Sequence, residues 1–367
     1  MEIKVEQSKL AKALSNVSQV AAGSRSTLPI LSNVLIKVDG GKATLTTTNL
    51  DLAVVTYLPT ISTQDGEITV PAKLLADFIS NLPRGEVTIS TKETKVTVSS
   101  SSYKSTLNGV YADEYPELPE INEKEAVIIK MNVDDFKLAI NEIIFATSND
   151  TTRPNLTGVY FNTADGAMYV AATDGYRLTD RKFVDKVSSE VKAIVPTASL
   201  NEVMRSIDDS TEEIEILFGD SQVRFRLGST EVTSKLIDGA YPDYRKLIPS
   251  SSQVEVELDT DELIRVAKLA ELFARQSNGT ICIETNKENG IVSVSSVANE
   301  LGENKSEIKA DVSDDTIVNI HAKYFIDALN ALEEPKLQLG ISGRMAPIII
   351  KNEKSRDYVH IIMPLNR

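Results

Sequence analysis

One cysteine, two histidines and no tryptophan among 367 residues leave this chain short of the side chains on which metal, redox and nucleophilic chemistry run. Cys282 alone excludes an internal disulfide, and with only His321 and His360 beside it a Cys/His zinc centre lacks ligands. The same scarcity leaves few ways to build a Ser–His or Cys–His nucleophile pair. No GxGxxG follows a strand, and neither a GxxxxGK phosphate loop nor an HExxH zinc helix occurs. No apolar run approaches the ~20 residues a membrane-spanning helix needs. The opening MEIKVEQSKLAKAL lacks the apolar centre of a signal peptide. These absences predict a cytoplasmic, non-catalytic protein with no metal, no cofactor and no membrane partner.

Positive charge is also in short supply. Lys plus Arg number 39 against 53 Asp plus Glu, a formal charge of −14. That balance argues against gripping nucleic acid over the whole surface, because such binding rests on neutralising phosphates. A local basic face is still allowed.

What the chain has is repetition. VPTASLNEVMRSI, read as a helix from about Val195 to Ile207, places Leu200, Val203, Met204 and Ile207 at i, i+3, i+4 and i+7, one stripe on one face. The same spacing recurs 125 residues earlier with Leu75, Phe78, Ile79 and Leu82, and 125 residues later with Phe325, Ala328, Leu329 and Leu332. A second helix series repeats as well: Leu10, Ala13, Leu14 and Val17; Phe136, Ala139, Ile140 and Ile143; Leu263, Val266, Ala267 and Ala270. Strand-like runs lie between and after the helices, and the turns Asp39-Gly40-Gly41, Asp165-Gly166 and Asn289-Gly290 read as hairpins. The fold class is therefore α+β, with three copies of one domain rich in antiparallel sheet. Boundaries fall where strands give way to Tyr-Pro segments at Tyr115-Pro116 and Tyr241-Pro242. The predicted domains are 1–124, 125–252 and 253–367.

Little else looks chemical. Asp174 in ATDGYRL could be drawn as a general acid, but Asp-Gly after a strand reads as a turn. The apolar C-terminal stretch Val359 to Leu365 reads as a strand closing the third copy's sheet, with Met363, Pro364 and Leu365 at a surface groove.

The residues carry a resemblance. STLPIL, VPAKLL, TRPNLTGV, ATDGYRL, TSKLIDGAYPDYRKLIP and the terminal MPLNR, in this order over the whole length, resemble the bacterial β sliding clamp family, the processivity factors of DNA polymerase III. The resemblance implies three clamp domains per chain and a ring-shaped homodimer, with helices lining the inside, antiparallel sheets outside and duplex DNA through the ring. It implies as partners the polymerase III catalytic subunit, the clamp-loader complex, and other polymerases and repair proteins bearing short linear motifs. By position it assigns DNA contact to Arg25 and the loop Asn149, Asp150 and Arg153, with Lys73, Arg205 and Lys323 on inward helix faces. It assigns a partner-peptide pocket to Leu156, Thr173, Gly175, Tyr176, Arg177, Leu178, Pro242, Lys246, Leu247, Ile361, Ile362, Met363, Pro364 and Leu365. A dimer contact would join Leu74, Phe78 and Leu107 to Leu272 and Phe273. Tyr176 stands where many members have His and Lys246 where many have Arg, which bears on peptide preference. The alternative reading is a non-catalytic repeat scaffold that binds proteins but not DNA.

Overall fold

The computed structural model describes residues 1–22, 28–118, 120–298, 300–332, 334–352 and 357–365. Its described residues hold six α-helices: α1 (Gln7–Ala22), α2 (Ala72–Ser80), α3 (Val133–Ile144), α4 (Thr197–Ser206), α5 (Thr260–Ala274) and α6 (Ala322–Asn330). They fall in the expected pairs, two to each repeat. Every predicted core residue of the two helix series is buried except Phe78, Met204 and Ile207, which are half-buried. Each large side chain so buried contributes about 1.5–3 kcal/mol to folding.

The chain's contacts gather into two compact units, one formed by residues 1–135 and 198–236, the other by 136–197 and 237–367. Each unit holds one and a half repeats, so the repeat boundaries of the sequence run through the compact units.

Unit 1 contains a five-stranded sheet with the spatial order 61–64, 2–6, 86–92, 95–100, 103–108. Its eight-stranded sheet has the order 127–132, 213–218, 222–227, 230–235, 52–59, 42–48, 33–39, 66–71. In that sheet the last strand of the second repeat, Thr230–Lys235, pairs with Leu52–Pro59 of the first. Unit 2 contains a nine-stranded sheet ordered 192–196, 158–164, 167–173, 177–184, 358–362, 348–352, 336–341, 254–259, 311–312, and a four-stranded sheet ordered 302–309, 291–298, 280–286, 316–321. Here the strand Tyr358–Ile362 pairs with Ile348–Asn352 of the third copy and also reaches beyond that copy. It lies between Ile348–Asn352 and Arg177–Val184, hydrogen-bonded on both sides and joining two repeats.

The repeats share side-chain locks as well as strands. Thr47 Oγ1 donates to the carbonyl of Val17 on α1 at 2.6 Å, and Ser296 Oγ to that of Ala270 on α5 at 2.6 Å. Each ties a buried helix carbonyl to the sheet beneath it.

The helix of VPTASLNEVMRSI departs from its pattern. Val195 and Pro196 belong to the strand Lys192–Pro196, and α4 begins at Thr197. Its buried face holds Ser199, Glu202 and Ser206 beside Leu200 and Val203. Hydrogen bonding makes this possible for Ser199 and Glu202: Ser199 and Ser234 share a 2.7 Å hydroxyl contact, and Arg205 pairs with Glu202. The Arg205 guanidinium also donates to the carbonyls of Ser15 at 3.1 Å and Asn16 at 2.8 Å on α1.

Candidate partner-binding site

The central piece of the site is a tight turn in unit 2 that links the strands Ala167–Thr173 and Arg177–Val184, with Thr173 opposite Leu178. Asp174 Oδ1 accepts from the amides of Tyr176 at 2.9 Å and Arg177 at 3.0 Å. Thr173 Oγ1 accepts from Gly175 N at 3.0 Å and donates to Arg177 O at 2.6 Å. Asp174 is thus a turn-closing residue. Gly175 sits at φ +92°, and a Cβ there would lie 3.2 Å from Arg153 Nη1, so glycine fits both the backbone and the space.

The turn delivers Arg177 into a buried cage. Its Nε donates to Asp174 Oδ2 at 3.1 Å, Nη1 to Asp327 Oδ2 at 2.7 Å and Nη2 to Phe145 O at 2.6 Å. Its guanidinium carbon lies 4.6 Å from the Tyr324 ring centroid and 5.3 Å from that of Phe145. Tyr176, exposed, stacks on Tyr324 with centroids 6.3 Å apart. A planar arginine bonded through all three of its guanidinium nitrogens and set beside two rings is a rigid group rather than a mobile charge.

The C-terminal strand runs beside Arg177. Arg177 pairs with Ile362 and Leu178 with Ile361, and Met363 N donates to Tyr176 O at 2.8 Å. Beyond it Leu365 N donates to Asn319 O at 2.8 Å. Leu178 and Ile361 belong to one buried cluster with Ala171, Tyr244 and Ile349, against which Tyr160, Tyr241 and Ile248 pack. Tyr244 OH donates to Asp180 Oδ1 at 2.6 Å and accepts from Asn162 Nδ2 at 3.0 Å. Burial pushes both Asp180 and Tyr244 upward. Met363 and Leu247 are exposed large apolar residues, and Pro364 and Leu365 are half-buried.

The structure therefore brings Thr173 to Leu178 together with Ile361 to Met363. Leu156 is buried, with its carbonyl accepting from Ser148 N at 2.8 Å. Pro242, Lys246 and Leu247 are exposed on the linker, where Lys246 pairs with Asp243 at 2.6 Å. Sequence reasoning missed Tyr324, Asp327, Tyr241 and Tyr244. The two linker tyrosines were signalled by the repeated Tyr-Pro segments, whereas Tyr324 and Asp327 come from a helix 150 residues away in the chain.

Among the residues assigned to DNA, Asn149, Asp150, Arg153, Lys73 and Lys323 are exposed. Asp150 accepts from Thr152 Oγ1 at 2.7 Å and Arg153 Nε at 3.3 Å, and Arg153 Nη2 reaches Asp174 O at 3.4 Å. Arg205 is occupied by Glu202 and the α1 carbonyls. Arg25 lies outside the described residues. Of the residues assigned to self-association, Leu74 and Leu272 are exposed, Phe78 and Phe273 half-buried, and Leu107 is buried within unit 1. Leu107 points inward because it takes an inward-facing position in the alternating strand Tyr103–Asn108. Among the described residues no group of three or more His, Cys, Asp or Glu is placed to hold a metal ion, and no helix is long and apolar enough to cross a membrane.

Known proteins share this architecture along the full chain. The N-terminal, central and C-terminal domains of the DNA polymerase III beta subunit match residues 1–119, 130–243 and 245–366. The beta sliding clamp of Bacillus subtilis is 30% identical over 379 residues, covering 100% of this chain and 99% of the other. That of Staphylococcus epidermidis is 31% identical over 357 residues, 94% of each chain. The crystal structure of the Bacillus subtilis DNA polymerase sliding clamp superposes with a TM-score of 0.94 at 28% identity, covering 100% of this chain and 99% of that one. The Pseudomonas aeruginosa DNA polymerase III subunit beta does so at 0.94 with 25% identity, covering 100% of both. Three matched domains in order, on a fold that superposes from end to end, place this chain in the DNA polymerase III beta subunit family, the beta sliding clamps.

Proposed function

We propose that two copies of this chain close head to tail into a ring around duplex DNA, and that the groove beside Leu178, Ile361 and Met363 tethers replication proteins to that ring. As a beta sliding clamp family member the chain is a DNA sliding clamp and replication processivity factor. The groove would hold extended peptides of the polymerase III catalytic subunit, the clamp loader, and other polymerases and repair proteins. Apolar anchors would lie against Met363, Leu247 and Pro242, with the braced turn at Arg177 fixing direction. The protein works in the cytoplasm and has no catalytic step of its own.

One observation supports the closure. Within each unit a joint forms where the last strand of one repeat pairs with the fourth strand of the repeat before it, Thr230–Lys235 on Leu52–Pro59 and Tyr358–Ile362 on Arg177–Val184. The same two strand types remain as sheet edges, Tyr103–Asn108 in unit 1 and Gly302–Lys309 in unit 2. Unpaired edges invite a partner strand. A second copy supplies both, and a head-to-tail contact whose rotation closes makes a ring. Leu74 and Phe78 on α2 would meet Leu272 and Phe273 on α5 beside that strand joint, with Leu107 supporting from beneath.

DNA inside such a ring is held topologically, so its phosphates need only weak contacts, and the charge of −14 ceases to conflict with DNA binding. Lys73, Lys323, Asn149, Asp150 and Arg153 are proposed for those contacts, as is Arg25. Arg205 is proposed chiefly as a brace between α1 and α4.

Sedimentation equilibrium tests the assembly. At about 10 µM chain the mass should be twice the chain's 40.1 kDa, and Leu74→Asp with Leu272→Asp should return it to the monomer. A wild-type monomer under these conditions would defeat the proposal.

A further inference from the structure

We infer that unit 1 carries a second ligand groove, at the joint of the first and second repeats, that takes a short extended peptide bearing an aliphatic and a basic side chain. The inference rests on the reading of the Arg177–Met363 groove as a peptide site, because the second groove repeats the hydrogen bonds of its turn.

In the first repeat Thr48 Oγ1 accepts from Leu50 N at 3.0 Å and donates to Leu52 O at 3.0 Å. Thr173 Oγ1 makes the same two bonds with Gly175 and Arg177. Asn49 Oδ1 accepts from Asp51 N at 3.0 Å and Leu52 N at 2.8 Å, as Asp174 Oδ1 does from Tyr176 and Arg177. Leu50 adopts φ +78° where Gly175 adopts φ +92°. Finally, Lys235 N donates to Asp51 O at 2.8 Å, the counterpart of Met363 N on Tyr176 O. Six separate features coincide, so the turn, the incoming strand and the start of its exit segment are built twice.

The copy is open. A cavity of about 420 Å³ lies against it, walled by Leu50, Leu52 and Tyr57 and by Leu118 and Ile121, which lie near the end of the first repeat as Tyr244 and Ile248 lie near the end of the second. That volume suits a few side chains of a bound segment. Leu50 and Tyr57 are 43% and 40% exposed. A leucine held at positive φ costs conformational energy that a glycine or asparagine would avoid. Here the strain presents an apolar side chain at the cavity mouth.

The lining chemistry sets the ligand. Where the first groove has Tyr176 and Met363, the second has Asp51 and Lys235, an exposed pair 3.1 Å apart. Arg224 is held by Thr233 Oγ1 at 3.1 Å, with Glu231 at 3.9 Å and Glu123 at 4.0 Å. The four carboxylates of Asp51, Glu120, Glu123 and Glu231 line the cavity with two cations, Arg224 and Lys235, while Arg226 behind the lining pairs with Glu123 and with Glu231 at 3.3 Å, which leaves one carboxylate in excess. The excess is negative, which favours a basic ligand and disfavours an acidic one. An incoming Lys or Arg would displace the exposed Lys235 ammonium from Asp51 while an aliphatic neighbour covers Leu50.

Fluorescence anisotropy on the full-length protein tests this with a labelled octapeptide of alternating Lys and Leu and its Glu–Leu counterpart. The Lys–Leu peptide should bind saturably and the Glu–Leu peptide should not. Leu50→Asn, which keeps a residue at ease at positive φ, should weaken binding by about fivefold or more, and Lys235→Ala should tighten it by about threefold. Leu178→Ala with Met363→Ala should leave it unchanged while weakening a polymerase-tail peptide. No binding up to about 1 mM, equal binding of both octapeptides, indifference to Leu50→Asn, or a loss in the Leu178/Met363 variant would each overturn the second groove. Failure of the polymerase-tail peptide to respond to the Leu178/Met363 variant would instead count against the first groove, so the two results are separable.

Discussion

The guanidinium carbon of Arg177 lies 4.6 Å from the centroid of the Tyr324 ring, so the turn before Arg177 in the second repeat is clamped by a helix of the third. Asp174, Asp327 and the Phe145 carbonyl occupy the edges of the same guanidinium. Replacing Arg177 by Met leaves two carboxylates and a carbonyl without their cation. Breaking a buried pair of this kind costs about 3–5 kcal/mol. Arg177→Met should lower the unfolding midpoint and weaken a polymerase-tail peptide together. Arg177→Lys should recover part of the stability but little of the binding, because an ammonium cannot reproduce the planar fork. Thermal unfolding and anisotropy on the same samples check this.

His360 gives the fold a pH dependence. Its ring is fully buried, 5.6 Å from Phe145, and neither ring nitrogen has a hydrogen-bond partner. Burial first, and the Arg177 charge second, pull its pKa down from 6.5 to about 3. Between those values the unfolded chain takes up a proton that the folded one refuses. The stability it contributes is fully present above pH about 6.5 and is lost as pH falls toward about 3, on the order of a few kcal/mol in total. Chemical denaturation in steps from pH 7 to 4 should show that slope. His360→Phe should flatten it and leave stability near pH 7 little changed.

The duplicated turns predict opposite responses to opposite substitutions. Gly175→Ala should destabilise by about 1 kcal/mol, since alanine resists positive φ and its Cβ would meet Arg153 Nη1. Leu50→Gly should cost little or stabilise slightly, because it relieves a leucine at φ +78°. Paired unfolding curves decide this. Equal effects at both positions would mean that the two turns do not carry the same backbone strain.

Arg205 and Lys323 should separate a brace from a DNA contact. Arg205→Ala removes the partner of buried Glu202 and the donors to Ser15 and Asn16, and should cost about 1–3 kcal/mol of stability. Lys323→Ala, at an exposed position, should leave stability unchanged and shorten residence on DNA at raised salt.

The helices were legible because burial imposes a period of 3.6 residues, and Leu10, Phe136 and Leu263 could be aligned without structure. The stripe of α4 was legible only in part. Ser199 is buried against Ser234 of a strand and Glu202 against Arg205 of its own helix, and a hydropathy pattern carries no trace of such pairing. The strand Tyr358–Ile362 was readable as a strand but not as the joint between repeats, since pairing across 181 residues is decided by the sheet and not by the local run. Likewise the turn residues of the candidate site stood out in ATDGYRL, whereas Tyr324 and Asp327 stood in an ordinary amphipathic helix. The second groove was hidden because its sequence, TNLDL, shares the backbone of TDGYRL and almost none of its side chains.

The topological hold on DNA is most directly measured by retention. Protein loaded by a clamp loader onto nicked circular DNA should stay bound through gel filtration and leave promptly once the circle is cut to a linear form. Equal loss from circular and linear templates, or equal retention on both, would contradict a closed ring.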